Sequence, residues 1–313
     1  MPEKTIISIG GNAIIKRNGA GTIAEQFENI QAACAGIARL ALDGYRIIVT
    51  HGNGPIVGNI VLQNEAAKDI LPPMPLYICD ADSEGGLGFT IQQAVYNELR
   101  KVRSAAECAA VITQVAVDPD DPAFKNPSKP IGPFYAKEEA ASLAASCGWV
   151  MADDSGRGWR RVVPSPRPVR VIEAGVVERL AASGVIVIAA GGGGVPVVEA
   201  ADGTLRGIDA VIDKDYATSL LARQTGAGLF VNLTQVDMVY MDFGRPGQKG
   251  LPELNVENAK RYLAKGQFHP GSMGPKIESA IEFLESGGQE VIITSPELMG
   301  DALKGRAGTR IFK

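Results

Sequence analysis

The sequence predicts an α/β protein, a three-layer αβα sandwich around a mostly parallel central sheet. Short runs of β-branched and apolar residues recur along the chain, and they end in Gly, Ser, Thr or Asn. Because these runs are apolar almost without interruption, they are typical of strands buried on both faces. Segments with apolar residues at helical spacing lie between them. This alternation predicts right-handed βαβ units, whose ligands bind beyond the carboxyl ends of the strands.

The predicted strands and helices alternate along most of the chain. Strand-like runs begin at Thr5, Tyr45, Ala109, Gly184, Leu229 and Glu290. Helical patterns are formed by Phe27, Ile30, Cys34, Ile37 and Ala41, by Val176, Val177 and Leu180, and by Ile277, Ile281 and Leu284. Each helical pattern precedes a strand, as expected for helices that connect parallel strands.

The composition is that of an ordinary globular protein. The chain has 313 residues, 45% hydrophobic and 21% charged, enough for one large or two smaller domains. A net charge of −4 without a basic patch disfavours nucleic-acid binding. The four cysteines form no C-x-x-C motif, so neither a metal site nor a disulfide framework is expected. Because no long apolar segment follows the N-terminus, we expect a cytoplasmic protein without signal peptide or membrane span.

The segment 118–168 departs from this alternation because it is rich in Pro, Gly, Asp and Arg. It is too long for a simple connection and too rich in proline for a plain helix. We interpret it as a protruding insertion that acts as a lid, with a surface loop as the alternative. Its aromatic residues favour some packing of its own; they are Phe124, Phe134, Tyr135 and Trp159.

Glycines stand where three predicted strands end. They are the Gly10-Gly11-Asn12 turn, the turn with Gly52 and Asn53, and four consecutive glycines at 191–194. Bare backbone N–H groups at a helix N-terminus bind anions, so these turns predict phosphate binding. None has the spacing of a Walker P-loop or a dinucleotide fingerprint. The alternative is that the four glycines only provide a turn with positive φ.

Three lysines lie in rigid or helix-starting contexts. Lys214 stands between Asp213 and Asp215 at a predicted helix start, Lys276 follows Pro275 in the first turn of another helix, and Lys129 lies among prolines. Helix capping would explain the aspartates, but a lysine is unfavourable at a helix N-terminus. Phosphoryl transfer requires positioning and neutralisation of negative charge, which such ammonium groups provide. No Ser-His-Asp arrangement is visible, and His51 and His269 are the only histidines.

A series of longer motifs identifies a family. In order along the chain they are GGNA, HGNGP, TQVAVDPDDPAF, SKPIGPFY, GRGWRRVVPSPRP, GGGGVPV, DAVIDKD, NLTQVDMVY and GSMGPK. With these motifs the chain resembles the carbamate kinases of the amino acid kinase superfamily over nearly its whole length. The resemblance implies the amino acid kinase fold, a homodimer, and reversible phosphoryl transfer between ATP and carbamate that gives ADP and carbamoyl phosphate. ATP formation is the expected direction, with Mg²⁺ accompanying the nucleotide.

The resemblance also implies roles for individual residues. The catalytic residues would be Lys129, Lys214, Asp215 and Lys276. The residues around the transferred phosphoryl group would be Gly10, Gly11, Asn12, Gly52 and Asn53. The nucleotide-binding residues would be Gly191, Gly192, Gly193, Asp213, Tyr240, Met273 and Pro275. Ranges 1–117 and 169–210 would form the carbamate side, 118–168 a protruding subdomain and 211–313 the nucleotide side of one amino acid kinase domain.

Four positions depart from the pattern of the family. Ile56 and Glu84 stand where Gln is usual, Phe89 where Tyr is usual, and Gln235 where Asp is usual. The changes at Ile56 and Glu84 leave open a different small carboxylate-like or phosphonate acceptor, or a nucleotide-binding sensor that does not transfer phosphate. Because the lysines and Asp215 are retained, an inactive protein is the weakest of these hypotheses.

Overall fold

The computed structural model describes residues 4–15, 19, 21–154, 156 and 158–313, apart from the side chain of Asn12. The strands are β1 (Lys4–Ile9), β2 (Arg46–His51), β3 (Cys108–Ala110), β4 (Gln114–Val117), β5 (Lys129–Tyr135), β6 (Met151–Asp153), β7 (Trp159–Val163), β8 (Pro168–Val171), β9 (Ile186–Ile188), β10 (Val195–Glu199), β11 (Leu205–Gly207), β12 (Leu229–Leu233), β13 (Val239–Met241), β14 (Lys249–Leu251), β15 (Glu253–Asn255), β16 (Glu290–Thr294) and β17 (Thr309–Phe312). The α-helices are α1 (Gly11–Ile14), α2 (Ile23–Leu42), α3 (Gly54–Ala67), α4 (Leu76–Lys101), α5 (Lys137–Cys147), α6 (Ala174–Ala182), α7 (Lys214–Thr225), α8 (Val256–Ala264), α9 (Met273–Glu285) and α10 (Met299–Leu303).

An eight-stranded central sheet confirms the predicted fold class. Its strand order is β15-β17-β16-β12-β1-β2-β9-β3. Neighbouring strands are parallel throughout, except that β16 and β17 are antiparallel. The strands β12, β15, β16 and β17 come from the range 211–313, and they form one half of the sheet. The strands β1, β2, β3 and β9 form the other half, and β1 meets β12 at the centre.

Both faces of the sheet are covered, as the apolar strand sequences predict. Ile6 and Ile48 pack into a core beneath α6, α7 and α9. Ile7 and Val49 point to the opposite face, where they pack against α2 and α4. Alternate residues of β1 and β2 therefore belong to different cores, which is why these strands are apolar at almost every position. The predicted helical patterns correspond to α2, α6 and α9.

One predicted strand is divided in the structure. The run that begins at Ala109 forms β3 at the edge of the central sheet and then β4 in a separate four-stranded sheet. Between them, the backbone N–H of Thr113 donates to Glu84 Oε2 at 3.1 Å instead of to a neighbouring strand. The prediction of one continuous strand was wrong because a side chain of α4 replaces the ladder hydrogen bond at this point.

The segment 118–168 contains a three-stranded antiparallel sheet in the order β5-β7-β6, together with α5. Its β5 lies directly on α3, and a methyl group on Gly58 of α3 would overlap the backbone of Gly132. The glycine at position 58 therefore allows the backbones to approach closely. In the part of the chain that the structure describes, no helix has both the length and the apolar character needed to span a membrane.

Candidate active site

The ends of β1 and β2 lie side by side, and the space at Gly52 admits only glycine. The N–H of Gly10 donates to the Leu233 carbonyl at 3.0 Å, and that of Gly52 donates to the Ile9 carbonyl at 2.9 Å. A Cβ on Gly52 would lie 2.7 Å from the Gly11 nitrogen and 3.2 Å from Cδ of Lys214. The two predicted phosphoryl-binding turns are thus in contact with each other and with the lysine. Asn12 belongs to α1, but its side chain lies outside the described residues.

Asp215 joins two of the predicted catalytic lysines. Its Oδ1 accepts from Lys214 Nζ at 2.8 Å and from Asn232 Nδ2 at 2.9 Å. Lys276 Nζ lies 3.1 Å from Oδ2 of the same carboxylate. Lys214 Nζ also donates to Ser8 Oγ at 2.7 Å. We call Lys214, Lys276 and Asp215 the lysine cluster; its two ammonium groups and one carboxylate leave a net positive charge.

Burial and pairing set the ionisation of the lysine cluster. Burial alone would raise the pKa of Asp215, but the adjacent charges of Lys214 and Lys276 hold its pKa below the usual range. Burial lowers the pKa of Lys214 from 10.5 to about 8, against the attraction of Asp215. The ammonium group of Lys214 is therefore charged at neutral pH, within reach of deprotonation in mildly alkaline solution.

Lys129 reaches the same helix end from the segment 118–168. Its Nζ lies 2.5 Å from Oδ2 of Asp213, while Oδ1 of Asp213 accepts the backbone N–H of Asp215 at 2.9 Å and caps α7. Although burial opposes ionisation, the charge of Lys129 holds the pKa of Asp213 below its usual value. The three predicted lysines thus meet two carboxylates that stand two positions apart at the start of α7.

The four glycines need both properties that the sequence suggested. Gly192, Gly193 and Gly194 have φ values of 70°, 110° and 81°, which side-chain-bearing residues rarely adopt. The backbone is also closely approached by the protein itself. A methyl group on Gly191 would overlap the ring of His51, and one on Gly192 would overlap the amide of Asn53. The turn lies against the end of β2, and its predicted role near the nucleotide phosphates stays a prediction.

A second buried polar group lies on α4 behind this turn. Glu84 accepts the backbone N–H of Gly191 at 2.9 Å and that of Thr113 at 3.1 Å. Asn53 Nδ2 donates to Ser83 Oγ at 2.6 Å and approaches Asp80 Oδ1 at 3.4 Å. We call Asp80, Ser83 and Glu84 the acid cluster. The sequence analysis missed Asp80 and Ser83, although polar residues on the side of α4 that faces the core were a usable signal.

Burial also determines the ionisation of the acid cluster. It raises the pKa of Glu84 to about 8 and the pKa of Asp80 well above its usual value. The pKa of the neighbouring His51 is lowered to about 4, again chiefly by burial. These groups therefore favour their neutral forms near pH 7. The substitution at Glu84 noted in the sequence anchors the glycine turn, and Ile56 packs against the core formed with α2 and α4.

Apart from the three glycines of the turn, the predicted nucleotide residues lie on three elements of the 211–313 half. Asp213 caps α7, Tyr240 lies on β13, and Met273 and Pro275 lie in the first turn of α9. The hydroxyl of Tyr240 donates to Asp237 Oδ1 at 2.7 Å. The ring of Tyr240 lies 6.0 Å from that of Phe243, between ring centroids. The structure thus places aromatic surface in this half, and the assignment of these residues to the nucleotide stays a prediction.

Comparison with known proteins shows the family to which the chain belongs. The model of the amino acid kinase family matches residues 3–295. Carbamate kinase from Thermococcus kodakarensis is 45% identical over 314 residues, covering 99% of each chain. Carbamate kinase from Giardia lamblia bound to AMP-PNP is 41% identical, covers 100% of this chain and 99% of that one, and superposes with a TM-score of 0.91. The citric acid complex of the Giardia lamblia enzyme, also 41% identical with 100% and 99% coverage, gives a TM-score of 0.94.

Proposed function

The chain belongs to the amino acid kinase family, and we propose that it catalyses reversible phosphoryl transfer between ATP and carbamate, giving ADP and carbamoyl phosphate. Full-length similarity to carbamate kinases supports this acceptor. The observation that carries the proposal is the lysine cluster beside the glycine turns of β1 and β2. Its net positive charge beside closely packed, bare backbone supports a phosphoryl-binding site there.

The mechanism we propose is positioning with charge neutralisation. The moving phosphoryl group would lie between Gly10, Gly11 and the Gly52–Asn53 turn. Lys214 and Lys276 would offset the charge that spreads over its oxygens in the transition state, and Asp215 would hold both ammonium groups in place. Because Asp215 already binds these ammonium groups in the structure, they need little reorganisation during the reaction. Lys129 would add a third positive charge from the protruding segment 118–168.

The nucleotide would lie over the 211–313 half, with 1–117 and 169–210 on the carbamate side. Asp213, Tyr240, Met273 and Pro275, with Gly191, Gly192 and Gly193, are the residues we propose for nucleotide binding. A carbamate kinase of the same fold binds the ATP analogue AMP-PNP, which supports ATP and ADP as partners.

Among the described side chains, no group of three or more His, Cys, Asp or Glu is arranged to hold a metal ion. Asp213 and Asp215 are each bound to lysines. We therefore propose that Mg²⁺ enters with the nucleotide, bound to its phosphates.

A homodimer and a cytoplasmic location stay predictions. For the dimer, we propose the surface around Phe89, Tyr96 and Ile112, next to the edge strand β3. These side chains are 59%, 54% and 47% exposed, and Phe89 and Tyr96 line one surface depression together with Cys108 of β3. Light scattering on purified protein would test the dimer, and substituting Phe89 and Tyr96 by Ser should give monomers.

The function is tested by coupled measurement of ATP formed from ADP and carbamoyl phosphate in the presence of Mg²⁺. We expect sustained turnover that depends on carbamoyl phosphate. Protein that is folded and binds ADP but forms no ATP would reject the assignment. A panel of small carboxylates and phosphonates, scored by ADP release from ATP, tests the alternative acceptors. Neither observed role of Ile56 or Glu84 favours such an acceptor, because both side chains make internal contacts.

A further inference from the structure

Asn53 occupies a capping position but does not cap its helix. Asparagine is among the favoured residues at the N-cap, where its side chain accepts a backbone N–H of the first turn. Asn53 stands at this position before α3, yet its side chain makes no capping hydrogen bond. Its amide instead turns to α4, where Nδ2 donates to Ser83 Oγ at 2.6 Å and approaches Asp80 Oδ1 at 3.4 Å. The side chain therefore has another task.

The hydroxyl of Ser83 determines which way this amide faces. Ser83 Oγ carries one proton, and it donates that proton to the backbone carbonyl of Asp80 at 2.8 Å. Towards Asn53 the hydroxyl can then only accept, so Nδ2 of the amide must face it. The reversed amide would place two oxygen atoms against each other without a proton between them. The carboxyl group of Asp80 also lies near Nδ2, with its Oδ1 at 3.4 Å.

The carbonyl end of the amide is the unused end. Among the described residues, none donates a hydrogen bond to Asn53 Oδ1, although the residue is only 3% exposed. The amide lies against Gly192, and the preceding residue Gly52 contacts Gly11 and Lys214. Asn53 Oδ1 is not fully enclosed, so it stays open to a ligand, and a ligand that excludes water there must supply a donor. The site next to the predicted phosphoryl position thus offers a hydrogen-bond acceptor.

We propose that Asn53 accepts a hydrogen bond from the amino group of the acceptor through Oδ1, and that Ser83 is the positioning residue that enforces this orientation. The inference rests on the proposed function and deepens it. Carbamate and carbamoyl phosphate carry an NH₂ group, whereas acetate and acetyl phosphate carry a methyl group of similar size. A site built to bind an N–H rejects the analogue that lacks it, since its own acceptor then stays unpaired.

The test measures kcat/KM for ATP formation from ADP with carbamoyl phosphate and with acetyl phosphate. Both are acyl phosphates, so their ratio isolates the amino group. The variants are Ser83→Ala, which frees the amide, and Ser83→Thr, which keeps the hydroxyl. The matched control is Thr90→Val on the same helix. The Thr90 hydroxyl is buried and donates to the Gly86 carbonyl at 2.9 Å, without reaching a side chain.

We expect the wild-type protein to prefer carbamoyl phosphate and Ser83→Ala to reduce that preference about tenfold, the value of one hydrogen bond. The loss should fall on carbamoyl phosphate while acetyl phosphate is nearly unchanged, and Ser83→Thr and Thr90→Val should keep the wild-type ratio. Equal losses on both substrates, or an unchanged ratio in Ser83→Ala, would overturn the inference. If Ser83→Ala does not fold, Asn53→Ala provides the same comparison, with loss of preference expected and an unchanged ratio contradicting it. Wild-type protein that binds ADP but makes no ATP from carbamoyl phosphate would instead reject the proposed function itself.

Discussion

The lysine cluster and the acid cluster are both buried beside the same strand ends, but their carboxyl groups differ in pairing and in ionisation. In the lysine cluster, one carboxylate binds two ammonium groups within 3.1 Å. In the acid cluster, no ion pair to Asp80 or Glu84 is found among the residues that the structure describes. The carboxyl group of Asp215 therefore stays ionised, whereas burial raises the pKa of Glu84 and Asp80.

This difference in pairing suits the two clusters to different tasks, charge stabilisation and hydrogen bonding. Paired buried charges keep a fixed positive region that can meet a phosphoryl group without reorganisation. Unpaired buried acids favour the neutral form, so the acid cluster acts as a hydrogen-bonding frame for Asn53 and the glycine turn. In the mechanism we propose, charge stabilisation would therefore reside on α7 and α9, and acceptor orientation on α4.

Removing the carboxylate of Asp215 should have the largest effect on stability. Asp215→Asn leaves Lys214 and Lys276 buried without a counter-ion, and we expect the free energy of unfolding to fall by about 3–5 kcal/mol, as for other broken buried pairs. Urea unfolding of the variant and the wild type measures this. The control is Asp301→Asn, because Asp301 pairs with Arg306 on the surface. A change below about 1 kcal/mol for Asp215→Asn would show that the cluster is not electrostatically coupled.

Removing one ammonium group should affect the reaction more than the fold. We expect Lys214→Ala to raise the activation barrier by about 2–4 kcal/mol, comparable to the loss of an oxyanion-binding donor. This corresponds to a decrease in kcat of about 30-fold or more. The control is Lys137→Ala, since Lys137 is also the first residue of a helix but is exposed. Steady-state rates with ADP and carbamoyl phosphate provide the measurement. A loss below about tenfold for Lys214→Ala would mean that another group offsets the charge.

The two clusters also differ in how far the sequence predicted them. The lysines were predictable because each stands at a helix start or among prolines, where local sequence fixes the backbone. Asp80 and Ser83 lie in the first third of the 26-residue helix α4, where polarity on the core-facing side indicates a role but not which one. Their task is visible only through Asn53, 27 and 30 positions away in the chain. Tertiary partners of this kind are not encoded in local pattern.

The sheet shows the same limit. Continuous apolar runs correctly predicted β1, β2, β9, β12 and β16 because each strand is buried on both faces. The run at Ala109 is just as apolar, but it divides where Glu84 binds the Thr113 backbone. No periodicity in the run itself could show that a helix side chain ends its pairing with the central sheet.

A methyl group added to the glycine turn, next to the acid cluster, should have an intermediate effect on the free energy of unfolding. Gly192→Ala combines a positive φ with overlap of the Asn53 amide. Gly203→Ala is the matched control, because Gly203 also has positive φ but no atoms within 4 Å of an added Cβ. Backbone strain is common to both, so we expect Gly192→Ala to reduce the free energy of unfolding by about 1–3 kcal/mol more than the control. Equal destabilisation in urea would show that the turn is not packed against Asn53.

The smallest expected effect is a pH dependence that separates the two clusters, since Lys214 and Glu84 both have pKa values of about 8. The Lys214 ammonium works in its protonated form, so kcat/KM should fall about tenfold per pH unit above about pH 8. Lys214→Arg should remove this fall at a lower overall rate, because a guanidinium stays protonated. Glu84→Gln should leave the fall in place. If instead Glu84→Gln removes the fall and Lys214→Arg keeps it, the titrating group belongs to the acid cluster, and ionisation of Glu84 disrupts the glycine turn.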